Sequence, residues 1–307
     1  MSNLIERHEL ISFFGLAILI SWIIWLLAPT LSAGDDHTLL VITLIGTFGP
    51  AVAGIFVARI TDPERIRITG IRRWQVFILV FVIVDLIWLL SADQFGSLDP
   101  HNFMLFTSKQ VLSALVAFIL SGIFSRRRGI RDLLMPLTTW RVKPIWYLIA
   151  ILGYPILIVL GLLLAVFLNT PLPPDLLSLE PVPFYQLLPG LVLAYVQTLL
   201  FQGPLGEEPG WRGFAFPKLQ KLHGSLVASI ILGVVWGFWH APLYLTGIYS
   251  GGVGGMLGRL FWTIPLTLLF TWVYNRTKGS LLLSILLHTS INFQGDIIST
   301  ILQLLPK

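Results

Sequence analysis

Apolar residues along this chain gather into nine stretches of 17–25 residues: Leu10–Leu27, Leu39–Ala58, Trp74–Ala92, Phe103–Phe124, Pro144–Leu168, Tyr185–Phe201, Ser225–Tyr244, Met256–Tyr274 and Ser280–Leu304. Short polar segments separate them. A membrane-crossing helix needs about 20 predominantly apolar residues. Backbone groups in hydrocarbon must be satisfied within the segment, and the alternation of barrel strands is absent. The pattern predicts an all-α, polytopic transmembrane helical bundle of about eight to nine spans, eight if one stretch is re-entrant. Gly46, Gly49, Ala53 and Gly54 give the second stretch a small-residue face suited to close helix contact. Trp22, Trp25, Trp74, Trp88, Trp140, Trp146 and Trp272 fall near predicted helix ends, where interfacial anchoring is expected.

Composition supports this class. Of 307 residues, 55% are hydrophobic and 11% charged, against roughly 25% charged in soluble domains. That excludes an ordinary soluble enzyme and a disordered chain. The absence of cysteine removes thiol catalysis, disulfide scaffolds and cysteine-ligated zinc modules. The net charge of +5 does not point to nucleic acid, because the basic residues sit in short loops and form no aromatic-interleaved stripe; no nucleic-acid partner is expected.

With the N-terminus placed in the cytoplasm and sides alternating, the inside segments hold Arg7, Arg59, Arg65, Arg67, Arg72, Arg73, Arg126, Arg127, Arg128, Arg131, Arg141, Lys143, Arg212, Lys218, Lys221, Arg276 and Lys278, seventeen of the twenty basic residues. The outside segments hold Lys109, Arg259 and Lys307 with Asp35, Asp36, Asp93, Asp99, Asp175 and Glu180. This is the positive-inside asymmetry. The expectation is an integral protein of a prokaryotic plasma (cell) membrane, with a cytoplasmic N-terminus and the lipid bilayer around it. The first stretch exceeds the 7–15-residue core of a signal peptide, and its leader (Glu6, Arg7, Glu9) is not positive, so a retained anchor helix is expected. No internal repeat is visible. The proline-rich Thr170–Pro183 separates an N-terminal region of five spans, residues 1–183, from residues 184–307.

Polar residues inside spans are costly and mark function. Asp85 lies mid-span, Glu207 and Glu208 follow the sixth stretch, His240 lies deep in the seventh, and His288 and Asn292 share a face of the ninth. His8, His37, His101 and His223 fall in loops or at ends and receive no role. Glu208 and Arg212 are four apart, so on a helix they pair, while Glu207 points about 100° away and is free to face a cavity. Pro209 disfavours helix at Glu208 and fits the first turn of a new helix. Trp236, four before His240, is placed to pack on its imidazole. The plainer readings are a solvated helix end for the glutamates and interhelical hydrogen bonding for each histidine. For Asp85, pairing with a basic residue and lining of a cavity stand even.

Glu207-Glu208-Pro-Gly-Trp-Arg212, Trp236-Gly-Phe-Trp-His240 and His288-Thr-Ser-Ile-Asn292, in this order, resemble the motifs of the CPBP family of intramembrane proteases. That family groups type II CAAX prenyl proteases with bacteriocin-processing and immunity-type proteins. The resemblance covers Leu188 to Gln294, making residues 184–307 a CPBP-like intramembrane protease domain. Two departures stand out. Trp236 replaces the commoner Phe, a mild change if only a ring is needed, and Pro209 lies inside the first motif.

The resemblance implies an intramembrane endopeptidase acting on a membrane-associated peptide or protein. Glu207 would be the general base, His240 would hold the water, and His288 and Asn292 would donate to the oxyanion, so that the catalytic set is Glu207, His240, His288 and Asn292. Glu208, Arg212 and Trp236 would support it. No cofactor is required in this reading. The family's metal-dependent description would instead make Glu207, His240 and His288 ligands of a Zn2+ ion with one position open for water. A non-catalytic membrane scaffold or immunity-type protein is the main alternative. A proton-coupled transporter using the same titratable residues would call for an internal repeat.

One depth problem follows. If the seventh span starts inside at Ser225, His240 lies ~22 Å further along, while Glu207 sits near the inner surface. A shared site therefore needs a re-entrant or buried stretch between Glu208 and Ser225.

Overall fold

The computed structural model describes residues 2–66, 72–97, 102–170 and 184–295. Arg67, Asp99, His101, Asp175, Glu180, Lys307, the proline-rich stretch beyond Thr170 and the last part of the ninth apolar stretch lie outside the described residues. The helices are α1 (Ser2–Arg7), α2 (Glu9–Ser32), α3 (Asp36–Gly46), α4 (Gly49–Thr61), α5 (Arg73–Leu89), α6 (Ala92–Phe95), α7 (Phe103–Gly122), α8 (Arg128–Leu134), α9 (Pro144–Phe167), α10 (Phe184–Phe201), α11 (Pro204–Glu208), α12 (Phe216–Trp239), α13 (Ala241–Leu245), α14 (Gly252–Arg276) and α15 (Leu281–Asn292). A π-helical turn, Pro209–Ala215, joins α11 to α12. The described residues form no strand, and the architecture is an all-α polytopic bundle. Among the described residues, six helical stretches are long and apolar enough to cross a membrane.

Starts are set by side-chain caps. The Asp35 carboxylate accepts from Thr38 N at 2.8 Å to open α3, Asn102 from Leu105 N at 3.2 Å to open α7, and Ser280 from Leu283 N at 3.2 Å to open α15. The second apolar stretch is two helices, broken at Thr47–Phe48. Its small residues act as expected: a Cβ on Gly46 would lie 2.2 Å from the Trp25 indole nitrogen, and one on Gly49 2.1 Å from Ser21 Oγ. α2 therefore rides directly on α3 and α4. Two tryptophans expected at the interface belong to the core instead. Trp25 donates to Thr43 O at 2.8 Å, and Trp88 donates to Ser113 Oγ at 3.0 Å while stacking on Phe201 at 4.2 Å. Trp74 and Trp140 remain exposed.

One end of the bundle gathers the chain's basic residues. Lys218 pairs with Glu9 at 2.9 Å, Arg128 with Glu64 at 2.6 Å, Asn275 Nδ2 donates to Gln220, and Ser280 Oγ donates to Thr139 O. Thus the N-terminus of α2, the ends of α4, α7 and α14, and the starts of α8 and α15 meet there. Arg212, expected in the loop at this end, is fully buried in the bundle instead.

That correction also removes the depth problem. The segment after α10 is not an inner loop: from Gly203 to Arg212 every residue is buried, in one continuous apolar stretch, Leu188–Leu245, within which the expected sixth and seventh spans merge. Gly203 (φ 108) bends the chain away from α10. Pro204–His223 then descends toward the basic end, with Gly206 against Thr47 and Phe48 and Gly210 against Pro50. Gly224 (φ 76, ψ 168) breaks α12, and Ser225–Trp239 climbs back. At 1.5 Å per residue the descent from Glu207 to Gly224 covers about 25 Å and the return to His240 about 24 Å, and Trp236, one turn earlier, reaches the Glu207 carboxylate at 2.7 Å. The helix expected to start at Pro209 starts at Pro204 instead. Glu208 is helical (φ −62, ψ −36), and the missing N–H of Pro209 is absorbed by the wider π turn.

The returning limb packs antiparallel on α14 through small residues. Thr263 Oγ1 donates to Gly233 O at 2.9 Å, and Ser229 Oγ lies 2.6 Å from Thr271 Oγ1. A Cβ on Gly237 would stand 2.6 Å from Thr263 Oγ1 and 2.7 Å from Leu260 Cα. Gly237→Ala is expected to destabilise the protein by about 1–3 kcal/mol through overpacking against backbone. Gly161→Ala on α9, with nothing within 4 Å, is expected to be neutral or slightly stabilising. Unfolding of the two variants in detergent checks the difference.

Candidate active site

Three adjacent turns of chain supply the site because their helices end or bend at one depth. α11 and the π turn carry Glu207, Glu208 and Arg212, the end of α12 carries Trp236 and His240, and the end of α15 carries His288 and Asn292. Glu207 and Glu208 have 3% and 0% exposure, so neither is a solvated helix end. They part company as adjacent helical residues must.

Glu208 points into the bundle. Its Oε1 accepts from Arg212 Nη1 at 2.9 Å and from His288 Nδ1 at 2.7 Å. The Arg212 guanidinium is held between two rings, 4.6 Å from the Trp236 centroid and 3.9 Å from Phe270. Glu207 points the other way. Its Oε2 accepts from Trp236 Nε1 at 2.7 Å and from Trp211 Nε1 at 3.3 Å. Its Oε1 has no protein partner among the described residues and lies beside Gly203, where a Cβ would approach it to 2.5 Å. Gly203 is therefore required twice, by its φ and by this carboxylate.

His240 Nδ1 lies 2.8 Å from Trp236 O, so it donates and leaves Nε2 free. The ring stands edge-on to Trp239 at 4.8 Å and parallel to Trp25 at 6.4 Å. The Trp236 ring packs on the imidazole as expected, 6.2 Å away and tilted by 53°, so three indoles orient it. The Trp236 ring also meets His288 edge-on at 5.4 Å. The change from Phe to Trp at position 236 is not mild here, since the indole N–H is the nearest donor to Glu207. Asn292 Nδ2 donates to Gln202 O at 2.8 Å and keeps its second hydrogen.

Glu207, Trp236, His240, His288 and Asn292 line one cavity of about 790 Å³, and Glu208 and Arg212 lie behind its wall. The wall also holds Tyr154, Gln202, Tyr249 and Arg259. Trp211, which sequence reasoning left without a role, sits inside the first motif, one residue before Arg212. Gly203 was legible only as part of a Gly-Pro break. The three residues considered as Zn2+ ligands face the same cavity without forming a cluster. Among the described residues no three His, Asp or Glu side chains are grouped closely enough to hold a metal ion. Asp85 is remote from the cavity: its Oδ1 accepts from Ser113 Oγ at 2.8 Å.

Fold and site together define an integral membrane protein with a carboxylate–histidine–asparagine site sunk in its helical bundle. Residues 189–294 match the family model described as type II CAAX prenyl endopeptidase, Rce1-like. A stretch of 110 residues is 31% identical to CAAX prenyl protease 2 of Methanococcus maripaludis, covering 34% of this chain and 41% of the relative. The match thus spans about two-fifths of that relative's length. The three motifs read from the sequence all fall within these matched residues.

Arg212 is the residue whose loss strands the most buried charge. Arg212→Met leaves the buried Glu208 carboxylate with only its hydrogen bond to His288 and is expected to cost about 3–5 kcal/mol. Arg128→Met breaks only exposed, solvent-screened pairs and is expected to leave stability close to that of the wild type. Equilibrium unfolding in mixed detergent reads both.

Proposed function

We propose that this chain is an intramembrane peptidase of the CAAX type, hydrolysing a peptide bond of a membrane-associated substrate with water activated by Glu207. One observation carries the reading: Glu207 is a buried carboxylate with one oxygen pinned by two indole N–H groups and the other beside a cavity shared with two histidines and an asparagine. The pinned oxygen fixes the carboxylate plane, and the free oxygen takes a proton from water as that water attacks the peptide carbonyl. His240 Nε2 is free to orient the water. His288, its Nδ1 bonded to Glu208, presents Nε2–H to the tetrahedral oxyanion, and Asn292 offers its unused hydrogen. The proton held by Glu207 then passes to the leaving nitrogen as the C–N bond breaks.

N-terminal sequencing of membrane-fraction proteins, comparing cells with the wild-type chain and with Glu207→Gln at equal abundance, tests the reading. New termini that vanish in the variant are expected; identical sets of termini would favour a non-catalytic scaffold. For a substrate found this way, Asn292→Ala is expected to slow turnover roughly 10²–10³-fold as a lost oxyanion donor. Trp236→Phe keeps the ring and removes one hydrogen bond to a charged group, about 1.5–3 kcal/mol, or roughly 10- to 100-fold in rate. Single-turnover cleavage by purified protein measures both.

A further inference from the structure

The cavity has a direction. Its wall residues lie in those halves of their helices that point away from the basic end: Trp25 late in α2, Leu39 and Thr43 in α3, Arg259 and Trp262 early in α14, and Asn292 at the end of α15. Its outer rim includes Asp36, the first residue of α3, and exposed Gln294. The chain running from Glu207 toward the basic end carries Trp211, Phe214 and Phe216, which with Phe270 are buried and do not line the cavity. A second hollow of about 290 Å³ does open at the basic end, lined by Asp62, Asp132 and Lys218, but it shares no residue with the first.

The basic end holds fifteen of the described Lys and Arg residues, from Arg7 to Lys278, in loops and at helix ends. The cavity end holds Arg259 and the buried Lys109, whose ammonium donates to Gly96 O at 2.5 Å. Lys and Arg in short loops mark the cytoplasmic side. Arg212 does not enter this count, being buried between the two ends.

We infer that the site opens to the extracytoplasmic side of the membrane and is sealed from the cytoplasm. The substrate class is then an exported polypeptide, or the extracytoplasmic juxtamembrane segment of a membrane protein, which reaches Glu207 from outside. The word substrate rests on the peptidase reading; the direction of the cavity does not.

The absence of cysteine makes the test direct. Asp36→Cys and Ser250→Cys, the latter at an exposed position between the cavity-lining Tyr249 and the start of α14, place single thiols at the cavity end, and Lys221→Cys, also exposed, places one at the basic end, each treated with a membrane-impermeant maleimide in intact spheroplasts. Modification of the first two before permeabilisation, and of the third only after it, is expected. The reverse pattern, or labelling of both ends from outside, overturns the inference. Having two cavity-end positions guards against a variant that fails to fold, which gel filtration in detergent reveals. If Glu207-dependent cleavage points map to cytoplasmic segments, the substrate side is overturned while the peptidase reading stands. If no termini depend on Glu207, that reading fails while the labelling still decides the direction.

Discussion

A guanidinium buried in the middle of a membrane bundle constrains everything around it. Arg212 has 1% exposure, one carboxylate partner and an aromatic ring on each face. Taking such a charge out of water costs several kcal/mol unless its surroundings return that energy. Glu208 returns part through a 2.9 Å ion pair, and the rings return part through cation–π attraction, which is strongest where water is excluded. The pair in turn dictates the site. Glu208 spends the same oxygen on His288, which ties α15 to α11. Trp236, held against Arg212, brings its indole N–H to Glu207 and its carbonyl to His240. One tryptophan therefore sets the orientation of a carboxylate and a histidine on different helices.

The backbone meets these demands by leaving regular helix where it must. A residue bearing a Cβ at position 203 would collide with the carboxylate that Gly203 exposes. The π turn rotates Arg212 into the bundle while Pro209 forgoes a hydrogen bond it has no hydrogen to make. The reversal at Gly224 lets two limbs of the chain reach the same depth from one end. Such irregular backbone is tolerated at membrane depth because it lies inside protein.

Much of this was legible in the sequence because membrane solvation leaves few choices. Apolar stretch lengths gave the helices, and the i, i+4 spacing of Glu208 and Arg212 gave the ion pair and the outward turn of Glu207. What the spacing could not give was depth. A charged, glycine- and proline-containing segment such as Gly203–Gly213 reads as a loop when each residue is weighed alone. It is a buried helix because Arg212 pairs with Glu208, two indole N–H groups bond Glu207, and rings cover the guanidinium, and that is a tertiary fact. Trp25 and Trp88 were misplaced for a related reason: near a span's end, an indole serves equally as interfacial anchor or as core donor, and the choice depends on whether Thr43 O or Ser113 Oγ lies opposite.

The same packing explains why the site can be wet on one side and dry on the other. On the side of Glu207 toward the basic end stand four buried aromatic residues and the Glu208–Arg212 pair. On the other side the wall is studded with hydroxyl, amide and guanidinium groups from Tyr249, Gln202 and Arg259 that water can solvate. Hydrolysis needs water at one face of a carboxylate and a fixed geometry at the other. Placing the rigid ion pair and its rings beneath Glu207, and the open cavity above it, satisfies both requirements with one asymmetric arrangement.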